Sequence, residues 1–251
     1  MNLFLILAFL FSIGSVAGWV LELFFRRFLS SANPERKWVN PGFCTGPYLP
    51  LYGTGLCLLY LIATMERLQL IEDPLWYKIV LFTVMAVCMT AIEYLAGYVS
   101  LKFYHVRLWD YRDEWGNFQG IICPKFSFYW AVMGALYYFL IHPRILSALE
   151  WLSGNLAFSF VIGLFYGVFI IDVVHSTQLI IKLKRCAEEY EVELHFELLK
   201  QHIRRKREEH KLRYHFFRPF VLEEHPLGKL VEDWAESLEE RKRKRNSLRK
   251  K

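Results

Sequence analysis

The sequence of 251 residues contains no Gly-x-x-x-x-Gly-Lys-Ser/Thr, so the chain carries no P-loop and cannot drive ATP hydrolysis by that route. It also lacks His-Glu-x-x-His, paired Cys-x-x-Cys and Gly-x-Ser-x-Gly patterns. No metal site, cofactor or serine-hydrolase centre is therefore expected, and the absences weigh against an enzyme. Cysteine is scarce. Five residues, an odd number at irregular spacing, exclude a disulfide framework and read as free thiols. Residues 2–25 are apolar from the start but have no basic n-region and no small-residue cleavage site, so they read as a retained membrane span.

What is present is apolar surface. Hydrophobic residues make up 54%, aromatics 17%, and mean hydropathy is +0.20, values that fit a chain meeting lipid. A membrane helix needs about 20 apolar residues. Runs at about 2–25, 48–65, 76–100, 126–146 and 155–181 predict five spans, the second being the shortest. The fold class is thus all-α and polytopic. A transmembrane domain over 1–182 is followed by a helical, basic tail over 183–251.

Lys and Arg in the connecting loops give the orientation. Arg26, Arg27, Arg36 and Lys37 follow span one, and Lys102, Arg107, Arg112 and Lys125 follow span three. The other two loops hold only Arg67 and Arg144. This bias places the N-terminus outside and the C-terminus in the cytoplasm of a cell-membrane protein.

The stretch from Glu22 to Gly53 has a counterpart from Glu93 to Gly134. Each sets a glutamate in an apolar run, then a charged loop, then Asn and Pro at equal spacing, Asn40 to Pro47 and Asn117 to Pro124. Tyr52 and Tyr129 follow, one register apart. The pattern reads as a duplicated helix-loop-helix unit in parallel orientation, over about 3–65 and 76–146, with the fifth span standing alone.

Spans one, three and five carry Glu22, Glu93 and Asp172 in their inner halves. A carboxylate facing lipid costs about 2.5–3.5 kcal/mol, so these side chains should face the bundle interior. With His175 one turn after Asp172, they are the candidates for a substrate or ion path. The plainer alternatives are a helical ion pair for Glu22 with Arg26 and helix-helix hydrogen bonding for Asp172. In the loops, Asn40, Asn117, Trp109, Asp110, Arg107 and Arg112 are candidates for a cap over the acids or an anion contact, against an interfacial aromatic belt. Two small-residue pairs, Gly14/Gly18 and Gly163/Gly167, permit close helix approach within or between chains.

Residues 183–213 have apolar positions at helical spacing and predict a helix continuing from span five, with a second over about 227–245. Arg241 to Lys251 supplies eight positive and no negative side chains, so the net +6 of the chain becomes −2 without them. Arg241, Lys242, Arg243, Lys244 and Arg245 are expected to contact anionic lipid. Nucleic acid is the less favoured partner.

The runs Gly18-Trp19-Val20-Leu21-Glu22, Asn40-Pro41-Gly42-Phe43, Gly46-Pro47-Tyr48-Leu49-Pro50-Leu51-Tyr52-Gly53, Glu93-Tyr94 and Trp109-Asp110-Tyr111-Arg112, with Asn117, Gly120, Cys123-Pro124, Ser127 and Trp130, resemble a bacterial membrane-protein family labelled putative ABC-transporter permease, type IV. The resemblance covers roughly residues 10–175. It implies a permease-type transport component served by a separate ATPase subunit and, with only five spans, a partner or homo-oligomer. Two other readings stand beside it: a binder or enzyme for a lipid head group, and a scaffold that presents the basic tail.

Overall fold

The computed structural model describes residues 2–30, 33, 36–42, 44–65, 73–189 and 194–195. It is all-α apart from one two-residue strand pair. The helices are α1 (Leu3–Phe28), α2 (Pro50–Thr64), α3 (Pro74–Tyr104), α4 (Pro124–Leu136), α5 (His142–Gly154) and α6 (Ser159–Glu189). Among the described residues, four segments are long and apolar enough to cross a membrane: Leu3–Phe28, Leu75–Tyr104, Pro124–Gly154 and Ser159–Gln178. The fifth expected span differs. Helix α2 has 15 residues, roughly 22 Å at 1.5 Å per residue, against a hydrocarbon core of about 30 Å.

Local sequence sets most helix ends. Asn2 caps α1 by accepting the Phe4 N–H at 3.1 Å, and Arg26 and Arg27 sit in its last turn, where cations complement the helix dipole. Prolines open α2 and α4, where a missing N–H costs nothing. The fourth apolar segment runs on to Gly154, past its expected end near residue 146. It does so through a π-turn at Tyr137–Ile141, closed by the His142 N–H on the Tyr137 carbonyl. The wide turn lets the helix resume at Pro143.

The described residues form two compact units, those within 1–96 and 110–173, and those within 97–109 and 174–195. In the first, α1 and α2 pack through glycine. A Cβ on Gly14 would lie 2.8 Å from the Leu56 Cβ, one on Gly18 would enter the Tyr52 side chain, and one on Gly53 would lie 2.6 Å from the Phe11 carbonyl. The pair Gly14/Gly18 therefore serves contact within the chain. Among the described residues, nothing lies within 4 Å of a Cβ on Gly163 or Gly167. Leu10, Met85, Tyr137 and Leu152 are among the most buried side chains of this unit, joined by Ile145 and Leu149 from α5. Among the described residues, Ser15 has a buried hydroxyl without a hydrogen-bond partner, while its carbonyl accepts the Leu49 N–H at 2.9 Å.

In the second unit, strand β1 (Val106–Arg107) pairs in parallel with β2 (Leu194–His195), Val106 opposite Leu194. The helix expected over 183–213 follows α6 to Glu189, but at 194–195 the backbone bonds to β1 rather than to the preceding turn. The second tail helix and the polybasic run Arg241 to Lys251 lie outside the described residues. Cys44, Cys57, Cys88 and Cys123 are free thiols.

Candidate functional site

Glu93 on α3 is 3% exposed, and both of its oxygens are engaged. Oε2 accepts the indole N–H of Trp130 on α4 at 2.9 Å, and Oε1 accepts the Tyr111 hydroxyl from the second loop at 3.0 Å. Both donors are neutral. No Lys or Arg among the described residues reaches this carboxylate.

Glu22 on α1 is held differently. Arg26, one turn on, donates Nε to Oε1 at 2.9 Å, and the Tyr52 hydroxyl of α2 donates to Oε2 at 2.9 Å. The helical ion pair considered from spacing alone is therefore present, with a tyrosine added from the next helix. Tyr52 and Trp130 then meet ring to ring at 5.6 Å, which links the two glutamates through their donors. Sequence reasoning aligned Tyr52 with Tyr129. The residue that performs the equivalent bond is its neighbour Trp130, because Tyr129 is 46% exposed while Trp130 turns inward.

Asp172 on α6 has a donor set of its own. The backbone N–H of Thr45 (3.2 Å) and the Thr45 hydroxyl reach Oδ1, and the Gly46 N–H (2.8 Å) and Tyr48 hydroxyl (2.5 Å) reach Oδ2. Four donors to one carboxylate anchor the first loop on this helix. Its partner on α1 is Trp19, whose indole N–H donates to Asn40 Oδ1 at 2.5 Å, while Asn40 Nδ2 donates to the carbonyls of Cys44 and Thr45. Gly42, at φ 75°, supplies the left-handed turn between them. His175, one turn on along α6, is exposed where Asp172 is buried.

The second loop folds by the same device. Asn117 Nδ2 donates to the carbonyls of Arg112 and Glu114, and its Oδ1 accepts the N–H of Gly120, a residue at φ 66°. Tyr111 is fixed by its N–H to the Gly120 carbonyl at 2.9 Å and by stacking on Phe126 at 4.3 Å. Burial, then the charges of Glu93 and Glu22, holds the Tyr111 phenol well above its ordinary value, so both acids act on this one hydroxyl. Asp110 and Arg112 pair with each other at 3.6 Å on the surface. Arg107 is buried and Trp109 half-buried in the second unit. The tail cations Arg241 to Arg245 lie outside the described residues.

The donors Tyr48, Tyr52, Tyr111, Trp130 and Thr45 were not among the candidate site residues, although all but Thr45 lie in the runs that carry the family resemblance and Tyr52 belongs to the repeat.

The buried acids Glu93 and Asp172 and the half-buried Glu22, each on an apolar helix, lie in the stretch where a family model described as Putative ABC-transporter type IV matches, residues 9–177. The chain belongs to that family. Membership and the apolar helices make it a multi-pass membrane protein associated with transport. No curated protein and no solved structure matches the chain significantly. Within the Putative ABC-transporter type IV match lie Glu22, Glu93, Asp172 and both clasping loops, while residues 183–251 lie beyond it.

Proposed function

We propose that the chain is the permease-type component of a transport system, with a polar intramembrane site at Glu22 and Glu93 on the cytoplasmic side. One observation carries the reading: Glu93 is buried in a membrane helix with only neutral donors around it. A carboxylate so placed is short of positive charge, and a proton or a cationic group of a transported solute would supply it. Glu22, half-neutralised by Arg26, lies on the same aromatic chain and would share that charge.

Residues 48–65 act in this reading as a fifth, short span, and the loops as inward-facing gates. Asn40 and Asn117 shape those gates from within, and Asp172 latches the first. The donation from Tyr52 to Glu22 and from Trp130 to Glu93, each from the helix after its loop, supports a duplicated unit. The loop cations favour an external N-terminus and a cytoplasmic C-terminus. Energy would come from a separate ATPase subunit, as family membership suggests and as the missing P-loop requires. Five spans would enclose a path with a partner chain or a second copy.

The test is Glu93→Gln, which keeps shape and removes charge, scored by growth or export phenotype in a deletion strain with membrane abundance measured in parallel. Normal abundance with a deletion phenotype supports the reading. Normal abundance with wild-type behaviour overturns it.

A further inference from the structure

The end of α1 carries a surface that the acid site does not use. We propose that Arg27, Arg36 and Trp38 form a binding site for the headgroup of an anionic phospholipid. Phe24 and Phe28 lie on one face of the last turns of α1, 6.1 Å apart and nearly parallel. Trp38, from the loop, meets both edge-on at 5.6 and 6.0 Å. The three rings are 50, 59 and 52% exposed, too much apolar area to leave in water at a helix end. Indole at such a position sits at the headgroup level of a bilayer.

The cations are built into the same corner. The Arg27 guanidinium lies over the Trp38 ring at 5.4 Å, and among the described residues no carboxylate pairs with it. Arg26, its neighbour, is committed to Glu22. A guanidinium stacked on indole keeps its N–H edge for a phosphate, a geometry lysine cannot copy. Asn33 brings the loop back to this point. Its Nδ2 donates to the carbonyls of Arg26 (3.1 Å) and Lys37 (2.8 Å), and its Oδ1 accepts the Lys37 N–H. Arg36 is exposed beside it, with one guanidinium N–H on the Ser30 carbonyl at 3.2 Å and no other side-chain partner among the described residues. The acid of this loop, Glu35, lies outside the described residues.

Phosphate chemistry alone would suit the cations. The aromatic trio decides for lipid, since a free anion has no use for half-exposed rings. The site stands whichever leaflet it faces and whatever the acids transport.

The experiment takes the purified full chain in detergent and reads unfolding temperature against added phosphatidylglycerol, phosphatidylcholine or inorganic phosphate. Wild type should bind phosphatidylglycerol the more tightly of the two lipids. Arg27→Gln should lose about fivefold in that affinity, with phosphatidylcholine unchanged. The double variant with Arg36→Gln should lose more. Should Arg27→Gln fail to fold, Arg36→Gln, fully on the surface, carries the same expectation. Unchanged phosphatidylglycerol affinity in the folded variants overturns the proposal, as does equal protection by inorganic phosphate. Basic residues of the tail are common to every protein compared and cancel.

Discussion

Tyr52 and Trp130 touch at 5.6 Å, and each gives its polar hydrogen to a different glutamate, Tyr52 to Glu22 and Trp130 to Glu93. Moving Tyr52 displaces a donor from the half-buried Glu22 and moving Trp130 one from the buried Glu93, where an acceptor deprived of its donor costs about 1–3 kcal/mol.

Trp130→Phe keeps a ring beside Tyr52 and removes the indole N–H. Thermal unfolding in detergent should fall by an amount in that range. Combined with Glu93→Gln, which removes the charge the N–H serves, the loss should be less than the sum of the two. Additive losses would show that the pair does not act as a unit.

The two glycine pairs should behave in opposite ways. Gly18→Ala drives a methyl group into Tyr52 and should cost about 1–3 kcal/mol through overpacking. Gly163→Ala and Gly167→Ala meet open space and should stay within about 0.5 kcal/mol of wild type. Equal effects at both pairs in thermal unfolding would contradict this packing of α1 on α2.

Asp172→Asn replaces two acceptor oxygens by one and sets an NH₂ against donors. The clasp on Thr45, Gly46 and Tyr48 should open, and with it the shelter of Cys44, which is 2% exposed. In a background whose other four cysteines are serine, maleimide labelling of Cys44 in membranes should rise well above the rate in Asp172. Unchanged labelling would mean the loop is held elsewhere.

Tyr111 gives a pH dependence. Its folded value lies above the ordinary phenol value of about 10, by burial first and by Glu93 and Glu22 next. The unfolded chain therefore releases this proton before the folded one. The stability it contributes is whole below about pH 10 and is lost as pH rises above that toward the folded value. Relative to Tyr111→Phe, wild type should lose extra stability only on that alkaline side, as read by unfolding temperature across a pH series. Extra loss below about pH 9 would count against the buried phenol.

The acids were legible because a carboxylate in an apolar run has few reasons to be there. Their partners were not. Tyr48, Tyr52, Tyr111 and Trp130 belong to a chain with 14 tyrosines and eight tryptophans, where an aromatic near a span end first suggests an interfacial belt. Asn40 and Asn117 were marked by equal spacing, but their bonds go to backbone carbonyls and N–H groups of their own loops, which spacing does not reveal. Gly14/Gly18 and Gly163/Gly167 are indistinguishable as sequence. Only the placement of α2 against the first pair separates them. The fourth apolar segment was expected over 126–146, past His142, Pro143 and Arg144, and its helix runs on to Gly154 after a π-turn that the sequence did not reveal.

That π-turn at Tyr137–Ile141 works as a phase shifter. An extra residue in one turn rotates everything after it by about 100° relative to an unbroken helix. Ile145, Leu149 and Leu152 reach the interior only in the shifted phase. Deleting Leu140 would take the extra residue out of the wide turn, so an unbroken α-helix would then present the same stripe of α5 to the bundle.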